Sequence, residues 1–224
     1  MSSLVIRPYD KKDEDNVLNI CYKTGFIGDD LANTGRFNDI KLFGFLFCLY
    51  YIRFEPENCF VAEDESTNRV IGYICGTENT IKQELAFGFK MGWKIAMRML
   101  FYTSWRFPES FSAVIYFASH VDLRTGIKDF YKLYPAHLHI NILPEYQKFG
   151  LGTKLLKKFE NEMTLRGVKG IHLRTSNKNF KAYPFYLKNN YTVIFEGEGS
   201  AWKGITQFHN VIFAKKLGIE VDNA

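Results

Sequence analysis

The chain has 224 residues, 46% hydrophobic, 24% charged and 17% aromatic, with 21 Phe, 13 Tyr and 3 Trp. That is enough apolar material for one sizeable core, and no Pro/Ser/Gly-rich linker or charge block divides it, so one domain over residues 1–224 is expected. The net charge of +5 and pI near 8.9 suit a small phosphate-bearing ligand, but the basic residues are scattered without the aromatic-basic register of an RNA platform, which excludes nucleic acid from the expected partners.

Leu4 to Pro8 reads as a strand, and Asp10 or Asp13 caps a helix in which Val17, Ile20 and Cys21 share a face. Asp39 to Arg53 reads as one helix, apolar almost all round through Leu42, Phe43, Phe45, Leu46, Leu49 and Tyr50, so it is expected deep in the core or as a pocket wall. The Glu55-Pro56-Glu57 turn ends it. Strands over Asn58–Ala62 and Arg69–Thr77, joined by the polar turn Glu63 to Asn68, read as an antiparallel hairpin. Cys21, Cys48, Cys59 and Cys75 lie in these elements without C-x-x-C spacing and read as buried thiols. With no basic-then-apolar run at the N-terminus, a reducing, cytoplasmic setting is expected.

Roughly fifty residues, Asn79 to Lys132, follow. They contain a cationic amphipathic helix over Phe87 to Trp105 and a Phe/Tyr-rich piece over Phe111 to His120. Lys90, Lys94 and Arg98 recur every four residues in the first, so it does not cross a bilayer, and no membrane partner is expected. The segment reads as a substrate lid, a homodimer surface or extra core packing, with no motif to choose among them.

His137 to Leu143 is strand-like, with His137 and His139 on the face opposite Leu138 and Ile140. It ends just before Gln147-Lys148-Phe149-Gly150-Leu151-Gly152, and an amphipathic helix with Leu151, Leu155, Phe159 and Met163 at four-residue intervals follows. Two glycines in such a turn let backbone N–H groups converge, and the helix adds its own unsatisfied amides and positive dipole end. The turn is a candidate pyrophosphate cradle. Two glycines after a strand often mean only a tight turn, so a second feature is needed to carry the reading.

That feature is Leu173 to Tyr186, a strand, an Asn turn and a helix. The pattern Q/R-x-x-G-x-G/A, here Gln147, Gly150 and Gly152, resembles the acetyl-CoA signature of the GNAT superfamily of N-acetyltransferases. Asn179, Ala182, Phe185 and Tyr186 fall at the offsets of that superfamily's strand, Asn-x-x-Ala, helix, aromatic-Tyr pattern. The opening strand and the 58–77 hairpin resemble its first three strands, so the likeness covers nearly the whole chain. It implies an α/β (α+β) GNAT-like acyl-CoA N-acyltransferase fold: a central mixed sheet flanked by helices, with a helical insertion. It also implies an acetyl-CoA-dependent N-acetyltransferase, acetyl-CoA being the co-substrate and a small-molecule amine or a peptide amino group the acceptor. A longer acyl donor would use the same elements.

By the same resemblance, the backbone N–H groups of Lys148, Phe149, Gly150, Leu151, Gly152 and Thr153 bind the pyrophosphate, with a contribution from the Gln147 side chain. Main-chain groups near Ile142 and Leu143 pair with the pantetheine arm as if it were another strand. Asn179 bonds that arm or caps the helix it opens, and Asn190 stands where the family usually has glycine. Tyr186 is implied as the proton donor to the leaving thiolate, although its spacing alone suits a core aromatic. For the base, His137, His139, Glu63 and a water chain stay open, with His139 the candidate. No carboxylate or cysteine completes a metal site around the two histidines, and none is expected.

The insertion, Tyr134 to Asn141, and Leu143 to Gln147 are similar to a subgroup related to the acetyltransferase-like domain of O-GlcNAcase enzymes. That subgroup usually has Asp where this chain has Asn141, and its eukaryotic domains lack the phosphate turn that this chain retains. The competing reading is accordingly a catalytically weak pseudo-acetyltransferase, a module that binds acetyl-CoA without turnover.

Overall fold

The structure is a computed structural model that describes residues 4–120, 127–147, 149–199 and 201–218. Strand β1 (Leu4–Pro8) leads into α1 (Glu14–Lys23), which a 3₁₀ turn with an Asp10–Asp13 capping box opens. Arg7 clamps this corner: it bonds the Asp13 carboxylate and the Glu63 carboxylate of β2 (Phe60–Asp64). Glu63 is thereby tied into an ion pair at the β1–β2 edge.

The stretch expected as one helix is two, α2 (Ile40–Phe47) and α3 (Leu49–Phe54). The chain leaves helical geometry at the wholly buried Cys48, at φ −131° and ψ −35°. This kink redirects α3 so that Tyr51 reaches the central strands. The next strand begins at Phe60 rather than Asn58 because Pro56–Asn58 form a 3₁₀ turn, and it pairs antiparallel with β3 (Arg69–Thr77).

The 79–132 segment is helical. Its first helix starts seven residues before Phe87: α4 (Thr80–Arg98) is capped by the Asn79 side chain, which accepts from Lys82 N at 3.0 Å. A π turn (Met99–Thr103) joins it to α5 (Ser104–Arg106), and α6 (Pro108–His120) and α7 (Ile127–Leu133) follow. Asp39, almost fully buried at the start of α2, anchors the insertion: it accepts from Arg98 Nε and Nη2 at 2.8–3.0 Å and from Thr103 Oγ1 at 2.6 Å. Removing Arg98 would leave that carboxylate without its counter-charge, a change that costs about 3 kcal/mol or more for a buried pair. Among the described residues, no helix is long and apolar enough to cross a membrane.

β4 (Ala136–Ile142), α8 (Leu151–Leu165), β5 (Gly170–Ser176) and α9 (Ala182–Lys188) complete the part legible in the sequence. Two further strands, β6 (Thr192–Glu198) and β7 (His209–Lys216), close the sheet in the order β1-β2-β3-β4-β5-β7-β6. β4 and β5 run parallel and the other pairs antiparallel, giving a mixed seven-stranded sheet with helices on both faces. On one face, α1 to α3 cover Val61, Tyr73 and Cys75; on the other, Leu138, Leu173 and Phe213 cluster with Leu155, Phe159 and Met163 of α8 and Tyr186 of α9. The four-residue spacing of α8 is what buries Phe159 completely, and truncating such a ring to Ala costs about 3–5 kcal/mol. All four cysteines are buried free thiols.

Candidate active site

The site begins with a gap in the sheet. β4 and β5 pair only at Ala136 with Ile171 and His137 with His172; beyond that the two parallel strands separate. Leu143 N–H bonds Ile71 O at 2.9 Å, and antiparallel alternation turns the peptide groups of Ile142 to the opposite edge, toward the gap. There the Ile142 carbonyl accepts Gln147 Nε2 at 2.9 Å. Gln147 therefore braces the turn from within, and of Ile142 and Leu143 it is Ile142 whose backbone faces the open edge.

The glycine turn follows directly. Gly150 holds φ +76°, a left-handed conformation costly for residues with a Cβ, and it is the N-cap of α8. Leu151, Gly152 and Thr153 open the helix, and their N–H groups precede the first carbonyl that an α-helix can offer. Gly152 is needed for a different reason: a Cβ there would lie 3.0 Å from Phe185 Cε2 and 3.1 Å from its Cζ, so glycine lets α8 approach α9. Phe149 is exposed beside the turn. Lys148 lies outside the described residues. Converging amides, a positive helix end and an unpaired strand edge are the features a pyrophosphate and an amide-bearing arm require.

Asn179 occupies the β5–α9 turn, where its Oδ1 accepts from Ala182 N at 3.1 Å, the hydrogen bond of a helix cap. Its side chain also lies against Gly28, at φ +88° in the loop after α1, and Lys181 ties the same loop through Asp29 at 2.8 Å. Tyr186 is only 7% exposed, its ring packed against Phe185, Tyr191 and Phe213. Burial pushes its phenol well above the ordinary value, and its hydroxyl has no protein hydrogen-bond partner among the described residues. The proton therefore stays on oxygen at neutral pH. Asn190, at φ +64°, adopts the left-handed conformation expected of its glycine-like position after α9.

On the other face of the sheet lies a cavity of about 550 Å³. His139 and Asn141 of β4 and Tyr73 of β3 line it, with Arg174 and Asn179 from the β5 side, Glu198 from β6, and aromatic walls that include Phe47, Phe117 and Trp202. Asn141 Nδ2 donates to the Tyr73 hydroxyl at 2.8 Å. Phe117 belongs to α6, so the insertion contributes to this wall, whereas Trp93 and Trp105 are exposed elsewhere. Neither Tyr186 nor the glycine turn lines the cavity; both lie across the sheet, on the α8–α9 face.

His137 and His139 share a face, and hydrogen-bond accounting assigns their protons. Thr80 Oγ1 is 2.8 Å from Pro135 O and 2.8 Å from His137 Nδ1. A carbonyl can only accept, so the Thr80 hydroxyl donates to Pro135 and His137 Nδ1–H donates to Thr80. His137 Nε2 then accepts the Tyr51 hydroxyl at 2.6 Å. With its hydrogen spent, the Tyr51 oxygen accepts from His139 Nε2–H at 3.3 Å, which leaves the lone pair of His139 on Nδ1. Burial lowers His139 to a pKa of about 4, so the ring is neutral at physiological pH. His137 is also pushed down, by burial and then by its neighbours His172, His139 and Arg174. Glu63 takes no part in the cavity lining, and no metal-binding cluster of His, Cys, Asp or Glu occurs among the described residues.

Tyr51, Tyr73, Thr80, Arg174 and Phe117 were not singled out in the sequence. Tyr51 and Tyr73 sit in stretches that read only as apolar helix and strand, Thr80 precedes the helix expected from Phe87, Phe117 is one of several aromatics in its piece, and Arg174 lies within the Leu173 to Tyr186 pattern but is not one of its spaced positions.

Comparison with known proteins agrees with this geometry. The profile of the Acetyltransferase (GNAT) family matches residues 30–191. The crystal structure of SsHAT superposes with a TM-score of 0.74 at 25% identity, covering 96% of this chain and 99% of that one. An N-acetyltransferase from Staphylococcus aureus Mu50 has a TM-score of 0.56 at 12% identity, covering 97% of this chain and 100% of that one. The Salmonella typhimurium protein yncA, solved with its cofactor acetyl-CoA, has a TM-score of 0.54 at 14% identity, covering 97% and 95%. At these lower identities the likeness is one of fold. With the family profile spanning most of the chain over the turn, the gap and α9, the protein belongs to the acetyltransferase (GNAT) family and has its acyl-CoA N-acyltransferase fold.

Proposed function

We propose that this chain transfers the acetyl group of acetyl-CoA to a primary amine of a small molecule or protein, with the amine seated in the His139 cavity. The observation that carries the reading is the arrangement around the β4–β5 gap: a left-handed glycine turn and helix start on one face, a cavity containing a neutral imidazole on the other. The amides of residues 149–153 would hold the pyrophosphate, and the Ile142 edge the pantetheine arm. Acetyl-CoA supplies an activated thioester when bound. Transfer forms the amide C–N bond and breaks the C–S bond. The amine N–H becomes acidic as nitrogen attacks the carbonyl, and His139 Nδ1 is the candidate to take that proton. Tyr186, held protonated by burial, is the candidate to deliver one to the departing sulfur.

A binding module without turnover would need the same turn, but it has no use for a histidine held neutral and fixed in one tautomer. The sequence pattern over 134–147 and the insertion support membership in the subgroup related to the O-GlcNAcase acetyltransferase-like domain, with Asn141 as a departure. The test is release of free thiol from acetyl-CoA in the presence of amines, amino sugars, polyamines and peptides. Acceptor-dependent release is expected for at least one class. Acetyl-CoA binding without release above the acceptor-free rate across the panel would favour the binding module.

A further inference from the structure

α4, the π turn and α5 form one helical rod over residues 80–106, and nothing from another element covers its outer face among the described residues. Leu85, Phe89, Trp93, Met97, Phe101 and Trp105 recur every four residues along it and are 74, 85, 61, 51, 68 and 69% exposed. A four-residue repeat drifts by about 40° per step around an α-helix, so Leu85 to Met97 wind gradually around α4, and the wider π turn at Met99–Thr103 checks that drift for Phe101 and Trp105. Even the polar atom of Trp105 is withdrawn, since its indole N–H bonds Phe101 O at 3.0 Å. An exposed apolar strip of this length marks an interaction surface.

We propose that this strip binds its own counterpart on a second copy of the chain, forming a two-fold dimer. Three features of the strip select that occupant. Together with Ile81, 48% exposed, the pattern is symmetric about Trp93: an antiparallel copy crossing there would set Phe89 against Met97, Leu85 against Phe101 and Ile81 against Trp105, the self-complementarity an isologous interface requires. The area also fits. At these exposures the four aromatics offer roughly 600 Å² and Leu85 and Met97 about 200 Å² more, close to the ~800 Å² per partner of a stable interface. Finally, three of the cations beside the strip are engaged by the protein, Lys94 Nζ lying 5.7 Å from both the Phe54 and the Trp93 ring centroids. Lys90 Nζ stands 4.5 Å from the Phe54 ring centroid and Arg98 holds Asp39, whereas a helix lying on an anionic bilayer presents its basic side chains to lipid phosphates.

Two measurements on the full chain test the proposal without reference to its activity. Sedimentation velocity from low to high micromolar concentration is expected to show a dimer, and the double variant Phe89→Glu, Trp93→Glu a monomer with unchanged far-UV circular dichroism. Trp93→Cys is expected to form a disulfide-linked dimer under mild oxidation, because it lies at the two-fold axis and the four native cysteines are buried, while Leu165→Cys, on exposed α8, stays monomeric. The cysteine pair of variants decides the matter if the double variant does not fold. A wild type that is monomeric throughout, a dimer that survives the double substitution, or cross-linking no greater at Trp93 than at Leu165 would overturn the proposal. Flotation of a monomeric wild type with phosphatidylcholine–phosphatidylserine vesicles would overturn it in favour of a bilayer partner.

Discussion

The Tyr51 hydroxyl lies 2.6 Å from Nε2 of His137, a residue 86 positions away, and through that contact α3 governs the proton on a third side chain, His139. Because Thr80 fixes His137 from the other end, Tyr51 has only its lone pairs left for His139. The chain of bonds orients the imidazole without touching the acceptor.

Tyr51→Phe removes the anchor and leaves the ring. Acetyl-CoA affinity is expected to hold, while kcat/KM falls by about 10-fold and the ¹⁵N spectrum of His139 changes to a mixture of tautomers. His139→Gln should lose more, about 10²-fold, as for removal of a general base. A Tyr51→Phe enzyme with unaltered imidazole shifts and unaltered kinetics would reduce the relay to packing.

The buried histidines also predict an acid-sensitive fold. His139 and His172 titrate at about 4 in the folded protein because burial disfavours their charged forms, against about 6.5 when unfolded. Between those values the unfolded chain binds more protons, so stability rises with pH there. It is complete above pH ~6.5 and declines as pH falls toward 4. Melting temperature should therefore drop across this window, and His172→Asn should flatten the drop. An equal slope in the variant would assign the acid sensitivity to other groups.

Much of the candidate site's geometry was legible in the sequence, and what was not has a physical reason. The glycine turn and Asn179–Tyr186 lie in local patterns whose spacing is dictated by a strand-to-helix turn. His139 was visible only as one of two histidines with the right parity. Tyr51 and Thr80 acquire meaning from a kink at Cys48 and a helix start at Asn79, and the aromatic run around Cys48 conceals the first of these. β6 and β7 belong to no spaced motif, and the short buried run Val211 to Ala214 of β7 cannot be told from a helix segment by periodicity alone, yet Glu198 and Asn210 on these strands reach the cavity.

Acetyl-CoA is expected to raise the melting temperature by mass action. Gly152→Val should abolish the shift, since its side chain must displace Phe185, which closes on the helix start. At Gly150 the obstacle is conformational, because no atom lies within 4 Å of an added Cβ. Gly150→Asn should thus retain more of the shift than Gly150→Val, Asn tolerating the left-handed region. Equal losses in Asn and Val variants would mean that side-chain bulk in the anion path, not backbone conformation, governs that position.

Tyr186→Phe separates the acid from the core aromatic. The ring contacts with Phe185, Tyr191 and Phe213 survive the change, and no protein hydrogen bond is lost among the described residues, so the melting temperature should be nearly unchanged. Turnover should fall by about 10²-fold with acetyl-CoA affinity intact. An unchanged kcat with a confirmed acceptor would leave Tyr186 a packing residue and make water the proton source.

The insertion contributes to the His139 cavity through α6 rather than through the tryptophans of the rod. Phe117 lines the same cavity as His139 and makes an edge contact with Phe47, their ring centroids 6.5 Å apart. Trimming it to Ala opens one wall of the acceptor side and leaves the glycine turn and the β4–β5 gap untouched. Phe117→Ala is therefore expected to raise acceptor KM by about 10-fold, the effect of losing one apolar wall, with little change in KM for acetyl-CoA. Trp93→Ala, away from the cavity, should alter neither constant per folded site. If instead Trp93→Ala shifts acceptor KM and Phe117→Ala does not, the acceptor enters along the rod and the cavity beside His139 is not its seat.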